Sequence, residues 1–360
     1  MTIAFPSRKN VILYMRTYRR DIMAIGIKDI ARLAGVSTAT VSRALSHPGR
    51  VSPETRAQVM AVVEEHDYRV NSFARSLRVR RADAVLALVP NLGNPFFSEI
   101  IAGIQDGLTP AGLDLLVTDT LSQQERRQSP VTHLQAARAD GLICLDGALP
   151  AGILDDLAAS DVAGRVVFAC EWPEGRGFPV VRSDNRAGMA LAVQHLVGLG
   201  HRDFALLTGP AGNILTEERR EGAEEALRQA GLTLPPSRIA GGSFEIRDGF
   251  RAAGDLMRMP SRPTAILCSS DQLAIGCISG LSELGVRVPQ DVSVVGFDDI
   301  ALAAYSRPPL TTIRQDRRRL GRIAAERLLS SLSGKPLAET LTTLPVEIVV
   351  RRSTAAAPAG

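Results

Sequence analysis

Thr38, Ala39, Ser42 and Arg43 are spaced to share the outer face of one short helix. Their chemistry suits the edges of base pairs. A guanidinium at Arg43 matches guanine O6 and N7 in bidentate fashion, while Ala39 and the Thr38 methyl suit thymine methyl groups. Ser37 and Thr40 stand at the helix start, where hydroxyls and free backbone N–H groups favour a phosphate oxygen. No catalytic constellation competes with this face. The chain lacks a P-loop, a GxGxxG following a strand, an HExxH and a GxSxG. Asp298-Asp299 is not read as an acid/base pair, because neighbours at a strand end point to opposite sides. The expectation is a binding protein without enzymatic activity, metal or cofactor.

The elements that must carry these side chains follow from the pattern around them. Ile27, Ile30, Ala31 and Ala34 form one apolar face of a first helix, and Gly35 breaks it. Ser37 caps a second helix whose Val41 and Leu45 face inward. Ala31 and Ala34 are small enough for a steep, close crossing, with Val36 and Val41 filling the joint. Arg50 lies in the loop beyond. Ser52 then caps a third helix with Pro53 at its first position, where a missing N–H costs nothing, and Tyr68 ends it. This is the spacing of a helix-turn-helix.

Charge gives that motif a partner. The chain has 42 Lys/Arg and 38 Asp/Glu, but residues 1–82 hold 15 of the bases and 6 of the acids. The N-terminal segment is therefore strongly basic and the remainder mildly acidic, an electrostatic footprint for a polyanion. Residues 1–25 read as a basic extension. Met23 stands just before the first organised segment, and one expectation is that translation begins there. N-terminal sequencing of the native protein checks it.

Beyond residue 82 the pattern changes. Strand-like runs at 85–89, 113–117, 141–145, 166–169, 204–207, 265–268 and 292–296 alternate with amphipathic helices, for example at 97–108, 186–199, 217–230 and 271–284. Apolar strands joined by crossover helices imply parallel sheets covered on both faces. The stretch is too long for one typical core, so two lobes are expected. The expected layout is an extension over 1–25, a helix-turn-helix domain over 26–69, a linker over 70–82 and a two-lobed domain over 83–355. No apolar run approaches the ~18 residues of a membrane span, and no secretory cleavage pattern follows the short apolar run at 11–15. A cytoplasmic location is expected. Cys144, Cys170, Cys268 and Cys277 lack metal or redox spacing and read as buried thiols. The five histidines are scattered and read as surface or capping residues.

The run from Ile27 to Leu45, Ile-Lys-Asp-Ile-Ala-Arg-Leu-Ala-Gly-Val-Ser-Thr-Ala-Thr-Val-Ser-Arg-Ala-Leu, resembles the head-piece of the lactose-repressor (LacI/GalR-type) family. Further stretches match in order: Ala-Arg-Ser-Leu at 74–77, Asn-Pro-Phe-Phe-Ser-Glu-Ile at 94–100, Ser-Asp-Asn at 183–185, Gly-His-Arg at 200–202, Ser-Asp-Gln-Leu-Ala at 270–274, Val-Gly-Phe-Asp-Asp at 295–299 and Pro-Leu-Thr-Thr-Ile at 309–313. Within the family, the runs at 37–45 and 95–101 look most like the cytidine-type nucleoside repressors.

The resemblance implies a three-helix head-piece followed by a two-lobed, Rossmann-like core of the periplasmic-binding-protein type. It implies a homodimer on a palindromic operator in double-stranded DNA. Thr38, Ala39 and Arg43 would read the major groove, with Arg50 nearby. Residues 71–78 would form a hinge helix on DNA, with Asn71 and Arg75 among its DNA-binding residues and Leu77 wedged into the minor groove. A wedge of that kind costs a few kcal/mol of unstacking, offset by contacts on the bent duplex. The family often has Pro where Val70 stands, which leaves the hinge entry less fixed here. A small-molecule effector, a sugar, sugar derivative or nucleoside, would lie between the lobes. Phe97, Arg219, Phe244, Asp271 and Gln315 match family contacts, with Phe96 and Asp184 as further candidates. Asp271 follows a strand and suits ligand hydroxyls, or a helix N-cap. Arg317 stands where lactose-type members often have an apolar contact, which argues against that ligand. Catabolic members usually use inducers, so release of DNA on ligand binding is expected. No leucine heptad follows Arg352, so no tetramerising tail is expected. A solute-binding module of the transport type is the alternative, but it should carry an export signal and no helix-turn-helix.

Overall fold

The computed structural model describes residues 25–46, 48–66, 68, 82–120, 130–136, 138–335 and 339–358. The expectations for the N-terminal extension and for Asn71, Arg75 and Leu77 lie outside them. The chain divides into two compact units, residues 1–78 and 79–360.

The first unit holds helices α1 (Ile27–Leu33), α2 (Thr38–Ser46) and α3 (Pro53–Glu65). Asp29 accepts the Gly26 N–H at 3.1 Å and so satisfies the backbone at the start of α1. Gly35 ends the turn after α1 with φ of 61°, a left-handed conformation that costs a side-chain-bearing residue about 1–2 kcal/mol. The Ser37 hydroxyl accepts the Thr40 N–H at 3.1 Å and starts α2, as its spacing predicts. Ser52 does the same for α3, accepting from Thr55 N at 3.3 Å, with Pro53 in the first turn. Ile30, Ala31, Ala34, Val41, Ala44 and Val59 form the buried core, edged by Val36, Leu45, Val62 and Tyr68. Burying a Val or Ile of this kind stabilises by about 1.5–3 kcal/mol, so this small core rests on a handful of side chains.

The second unit has two lobes, each built on a six-stranded sheet. Numbered through the chain, its strands are β1 (Ala84–Val89), β2 (Asp114–Asp119), β3 (Gly141–Cys144), β4 (Val166–Ala169), β5 (Val180–Ser183), β6 (Phe204–Thr208), β7 (Ile239–Gly241), β8 (Ala265–Cys268), β9 (Ser293–Asp298), β10 (Thr311–Gln315), β11 (Leu341–Leu344) and β12 (Val346–Val349). The N-terminal lobe has the order β11-β5-β4-β3-β1-β2 and the C-terminal lobe β12-β10-β9-β8-β6-β7. Among the described residues every strand pairing is parallel except β10 with β12. The helices between them are α4 (Phe96–Leu108), α5 (Pro130–Gln135), α6 (Ala151–Ala159), α7 (Asn185–Gly198), α8 (Ile214–Gln229), α9 (Ile246–Met257), α10 (Asp271–Glu283) and α11 (Arg317–Leu332). The two-lobed α/β architecture agrees with the expectation from strand and helix alternation.

The chain passes between lobes three times: after β5, between β10 and α11, and between β11 and β12. These short joints put the carboxyl ends of both sheets at one cleft, where ligands of such sheets bind. Helix α11 returns to the N-terminal lobe and crosses α4 closely. A Cβ at Gly103 would lie 2.0 Å from the Arg318 carbonyl oxygen, and one at Gly321 would lie 2.1 Å from that of Ile100. Only glycines at both positions allow this backbone approach.

Three expectations change. The run at 113–117 forms β2, which is an edge strand and is not buried: Leu116 and Val117 are exposed. The sheets also gain β5, β7, β10, β11 and β12, strands too short or too mixed to read from the sequence. His201 is neither a surface nor a capping residue. It is fully buried, its ring nitrogens bonded to Thr264 Oγ1 (3.0 Å), Ser293 Oγ (3.0 Å) and the Ala355 carbonyl oxygen (3.1 Å). Burial lowers its pKa, so the neutral ring serves as a strut that fixes the end of the chain to β9. The four cysteines are buried and free.

Candidate functional site

The outer face of α2 is set by which side chains its core consumes. Val41 and Ala44 point inward, so Thr38, Ala39 and Arg43 are exposed, with Thr40 and Ser42 half-buried beside them. Arg43 Nε donates to the Ala39 carbonyl oxygen at 3.2 Å, which lays the guanidinium along this face. The Ser37 and Thr40 hydroxyls are 2.9 Å apart at the helix start. Arg50, in the turn Pro48–Arg50, is exposed. The seven described residues expected to meet DNA therefore lie on or beside one helix and the turn that follows.

In the second unit, a cavity of about 190 Å³ lies between the lobes at the carboxyl ends of the strands. Phe96 and Phe97 line it from the start of α4, Arg219 and Leu215 from α8, and Phe244 from the loop before α9. Phe96 and Phe97 pack edge to face at 5.1 Å, and besides lining the cavity they belong to the N-terminal core. Gln272 Nε2 donates to Asn94 Oδ1 at 3.0 Å across the two lobes. A second interlobe tie lies outside the cavity, where Arg182 of β5 reaches Glu218 of α8 at 3.3 Å and stacks on Trp172 at 4.5 Å. A larger groove of about 620 Å³ lies beside the crossovers, but charged side chains that pair with one another, such as Arg314, Asp299 and Glu347, line much of it. The smaller cavity is the one that gathers aromatic faces and buried charge.

Arg219 is the centre of that cavity's wiring. It is 2% exposed and stands in the second turn of α8. Its Nε donates to Asn185 Oδ1 at 2.8 Å, Nη1 donates to the Ser269 carbonyl oxygen at 2.6 Å, and Nη2 lies 3.7 Å from Asp298 Oδ1. The guanidinium stacks on Phe297 at 3.9 Å and faces Phe244 at 5.9 Å. Burial works against both charges of the pair. It raises the Asp298 pKa to about 6 despite Arg219, and it lowers that of Arg219 despite Asp298.

Asp298 is the residue that sequence reasoning missed, having been absorbed into a structural motif with Asp299. The two carboxylates do point apart. Asp298 turns to the cavity and accepts from Gln315 Nε2 at 2.8 Å; Asp299 turns away and accepts from Arg314 and Arg351, both at 2.7 Å. Burial works upward on Asp299, but those two hydrogen bonds win and hold its pKa below the usual value. Positive φ at both residues, 121° and 52°, makes this divergence, and such conformations cost about 1–3 kcal/mol each. An acidic residue at the carboxyl end of a strand was the available signal.

Glu171 is the second residue missed. It follows β4, lines the cavity and is 5% exposed. Burial, reinforced by Asp146, raises its pKa to about 7, against hydrogen bonds from Asn213 and the Gly147 N–H and the charge of Arg219.

Three expected contacts are not in the cavity lining. Asp271 is fully buried, and its carboxylate accepts from the Ile300 N–H at 2.8 Å and from the Thr312 hydroxyl. Burial, with Asp298 nearby, pushes its pKa well above the usual carboxylate range. It is the first residue of α10, not the cap: Ser270 holds that place and accepts from Leu273 N at 3.1 Å. Asp184 caps α7 by accepting from Ala187 N at 3.0 Å. Gln315 is buried and orients Asp298 from behind. Arg317 donates to the Asp299 carbonyl oxygen at 2.9 Å and to that of Phe96 at 3.4 Å, tying the lobes at the crossover.

Similarity to known proteins agrees with this arrangement. Residues 26–71 match the family described as bacterial regulatory proteins, lacI family, and residues 193–354 match a periplasmic binding protein-like domain. The chain is 34% identical over 340 residues to the HTH-type transcriptional repressor CytR of Escherichia coli strain K12, covering 94% of this chain and 99% of that one. It is also 34% identical over 328 residues to the repressor PurR of Photobacterium profundum, covering 91% and 98%. A crystal structure of the lac repressor dimer bound to operator and an anti-inducer superposes with a TM-score of 0.80 at 30% identity, covering 92% of this chain and 99% of that one. No helix among the described residues is long and apolar enough to cross a membrane. A regulatory head-piece, a two-lobed sensing core and full-length relatives at this identity lead to one conclusion: the chain belongs to the lacI family of bacterial regulatory proteins.

Proposed function

We propose that this chain is a cytoplasmic, sequence-specific repressor that binds a palindromic operator as a homodimer and changes its affinity when a small molecule enters the interlobe cavity. The observation that carries the reading is the outer face of α2, whose exposed Thr38, Ala39 and Arg43 stand ready for base edges while the core holds the helix from behind. Ser37 and Thr40 would meet phosphates at its start, with Ser42 on the base-facing side and Arg50 in the turn beyond. Asn71, Arg75 and Leu77 would complete the grip as a hinge on the minor groove. One head-piece offers little contact area, and two half-sites held together multiply affinity.

Phe96, Phe97, Phe244 and Arg219 would line the effector, with Asp298 and Glu171 added. Asp271, Asp184 and Gln315 would act by holding these residues and the lobe joints in place. The effector would act by shifting the lobes about the three crossovers, where the Gln272–Asn94 and Arg182–Glu218 ties would be kept or broken. Moving such an equilibrium from 1:99 to 99:1 takes about 5.5 kcal/mol of differential binding. The test is operator binding by fluorescence anisotropy with wild type and Arg43→Ala. The variant should lose about 1–3 kcal/mol at its cognate base pair and relax base preference there. Unchanged affinity and preference would refute α2 as the reading helix.

A further inference from the structure

Glu218, in the second turn of α8, is shared by two arginines that belong to different lobes. Its Oε1 accepts from Arg182 Nη1 at 3.3 Å and from Arg186 Nε at 3.5 Å. Arg182 lies near the end of β5 in the N-terminal lobe, and Arg186 lies in the first turn of α7 in the C-terminal lobe. The two therefore flank the first crossover. Arg182 Nε also donates to the Thr343 hydroxyl at 3.3 Å, at the end of β11, where a second crossover leaves the N-terminal lobe. The Arg182 bond to Glu218 spans the lobes, while the Arg186 bond stays within one. Both are longer than the ~2.7–2.9 Å of a charge-assisted bond with one donor, as expected where two cations divide one oxygen.

Each member of this group has a second partner. Arg186 also pairs with Glu221, and the Arg182 guanidinium stacks on Trp172 at 4.5 Å. When the lobes move apart, Glu218 keeps Arg186, and Arg182 keeps Trp172 and Thr343. Neither charge is left bare. The Arg219–Asp298 pair differs, since parting it strands a buried charge. The Arg182 and Glu218 side chains are 24% and 12% exposed, so water and salt reach them.

We propose that the Arg182–Glu218 bond is a make-and-break latch that holds the lobes in the geometry seen here, and that Glu218 is the positioning residue that sets how readily they move. The proposal rests on the reading that lobe geometry governs the grip on operator DNA. Arg186 makes the latch reversible, because it takes up the Glu218 charge as Arg182 leaves. The latch borders a groove of about 430 Å³, with Trp172 on one wall and Glu217, Glu218 and Glu221 on the other. Helix α8 connects it to the interlobe cavity: Leu215 and Arg219, on the same two turns as Glu218, line that cavity. A molecule that draws on either residue therefore pulls Glu218 with it.

Trp172 is the single tryptophan of the chain and is buried under Arg182, so access to its ring reports the latch. Acrylamide, a neutral quencher, reads that access without sensing charge. In the full chain, Glu218→Gln should raise the quenching constant about twofold or more, the scale of one partly exposed ion pair. Glu218→Asp, which keeps the charge but shortens the arm, should raise it as well, because the carboxylate then stays with Arg186. Raising potassium chloride from about 0.05 to 0.5 M should open the wild type and leave Glu218→Gln unmoved. Arg186→Met should blunt that salt response, since Glu218 then loses its second cation. Circular dichroism checks that each variant is folded. Quenching equal to wild type in Glu218→Gln, or a wild type that salt does not move, overturns the latch. Anisotropy with the duplex that the chain selects from a randomised pool should show operator affinity changed about twofold or more in Glu218→Gln. Raised quenching with unchanged operator affinity would refute Glu218 as a control point. Failure of the chain to bind any DNA would refute the wider reading, while the quenching still decides the latch.

Discussion

Replacing Arg219 by Met keeps the apolar stem that packs on Phe297 and removes the guanidinium. Asn185 Oδ1 and the Ser269 carbonyl oxygen then lose a buried donor, and Asp298 loses its ion-pair partner and keeps the hydrogen bond from Gln315. Breaking a buried pair from one side costs about 3–5 kcal/mol, because the remaining charge stays buried without compensation. Domains of this kind are stable by about 5–15 kcal/mol, so the variant should fold but with a large deficit. The deficit should also depend on pH. Burial raises the Asp298 pKa to about 6 even with Arg219 beside it, so removing Arg219 raises it further. An acid whose folded pKa exceeds its unfolded value contributes stability that is full below the unfolded pKa and is lost as pH rises through the folded one. The variant should therefore trail wild type by more at pH 8 than at pH 5. Adding Asp298→Asn removes the orphaned charge and should restore a good part of the loss. Urea unfolding followed by Trp172 emission at both pH values measures all of this. A deficit below about 1 kcal/mol, or one that does not shrink at pH 5, would refute the assigned role of the pair.

Other expectations follow from the same geometry. Glu171, with its pKa raised from 4.5 to about 7, should make wild type lose about 3 kcal/mol of stability as pH rises between those values, and Glu171→Gln should flatten that slope in the same unfolding assay. Gly321→Ala would put a Cβ 2.1 Å from the Ile100 carbonyl oxygen, so α4 and α11 must part, at a cost of about 1–3 kcal/mol in thermal or urea unfolding. Ser37→Ala removes the bond to Thr40 N and should lower head-piece stability by about 1 kcal/mol, seen as a lower melting temperature with weakened operator binding.

The local parts of this structure were legible in the sequence, and the long-range parts were not. Ser37, Gly35, Ser52 and Pro53 announce the head-piece because caps and breaks act within a few residues. The central strands read as apolar runs because both faces are covered. Asp271 shows where that reasoning ends. Its place after β8 fits equally a residue that faces the cleft and one that points sideways, and the choice is made by Thr312 and the Ile300 N–H, far away in sequence. Asp298 was hidden for the opposite reason. Its neighbour Asp299 pairs with Arg314 and Arg351, and the positive φ angles of both residues turn Asp298 the other way, to the cavity. Glu171 gave no motif at all; its role comes from the burial that β4, Asp146 and Asn213 create around it.

The central claim is that the outer face of α2 reads DNA in a dimer. Selection of bound duplexes from a randomised pool by the full chain tests it most directly. An inverted repeat should be enriched, with half-sites about one helical turn apart, and Arg43→Ala should lose one conserved base preference in each half-site. Enrichment of no sequence, or of one that Arg43→Ala leaves unchanged, would contradict it.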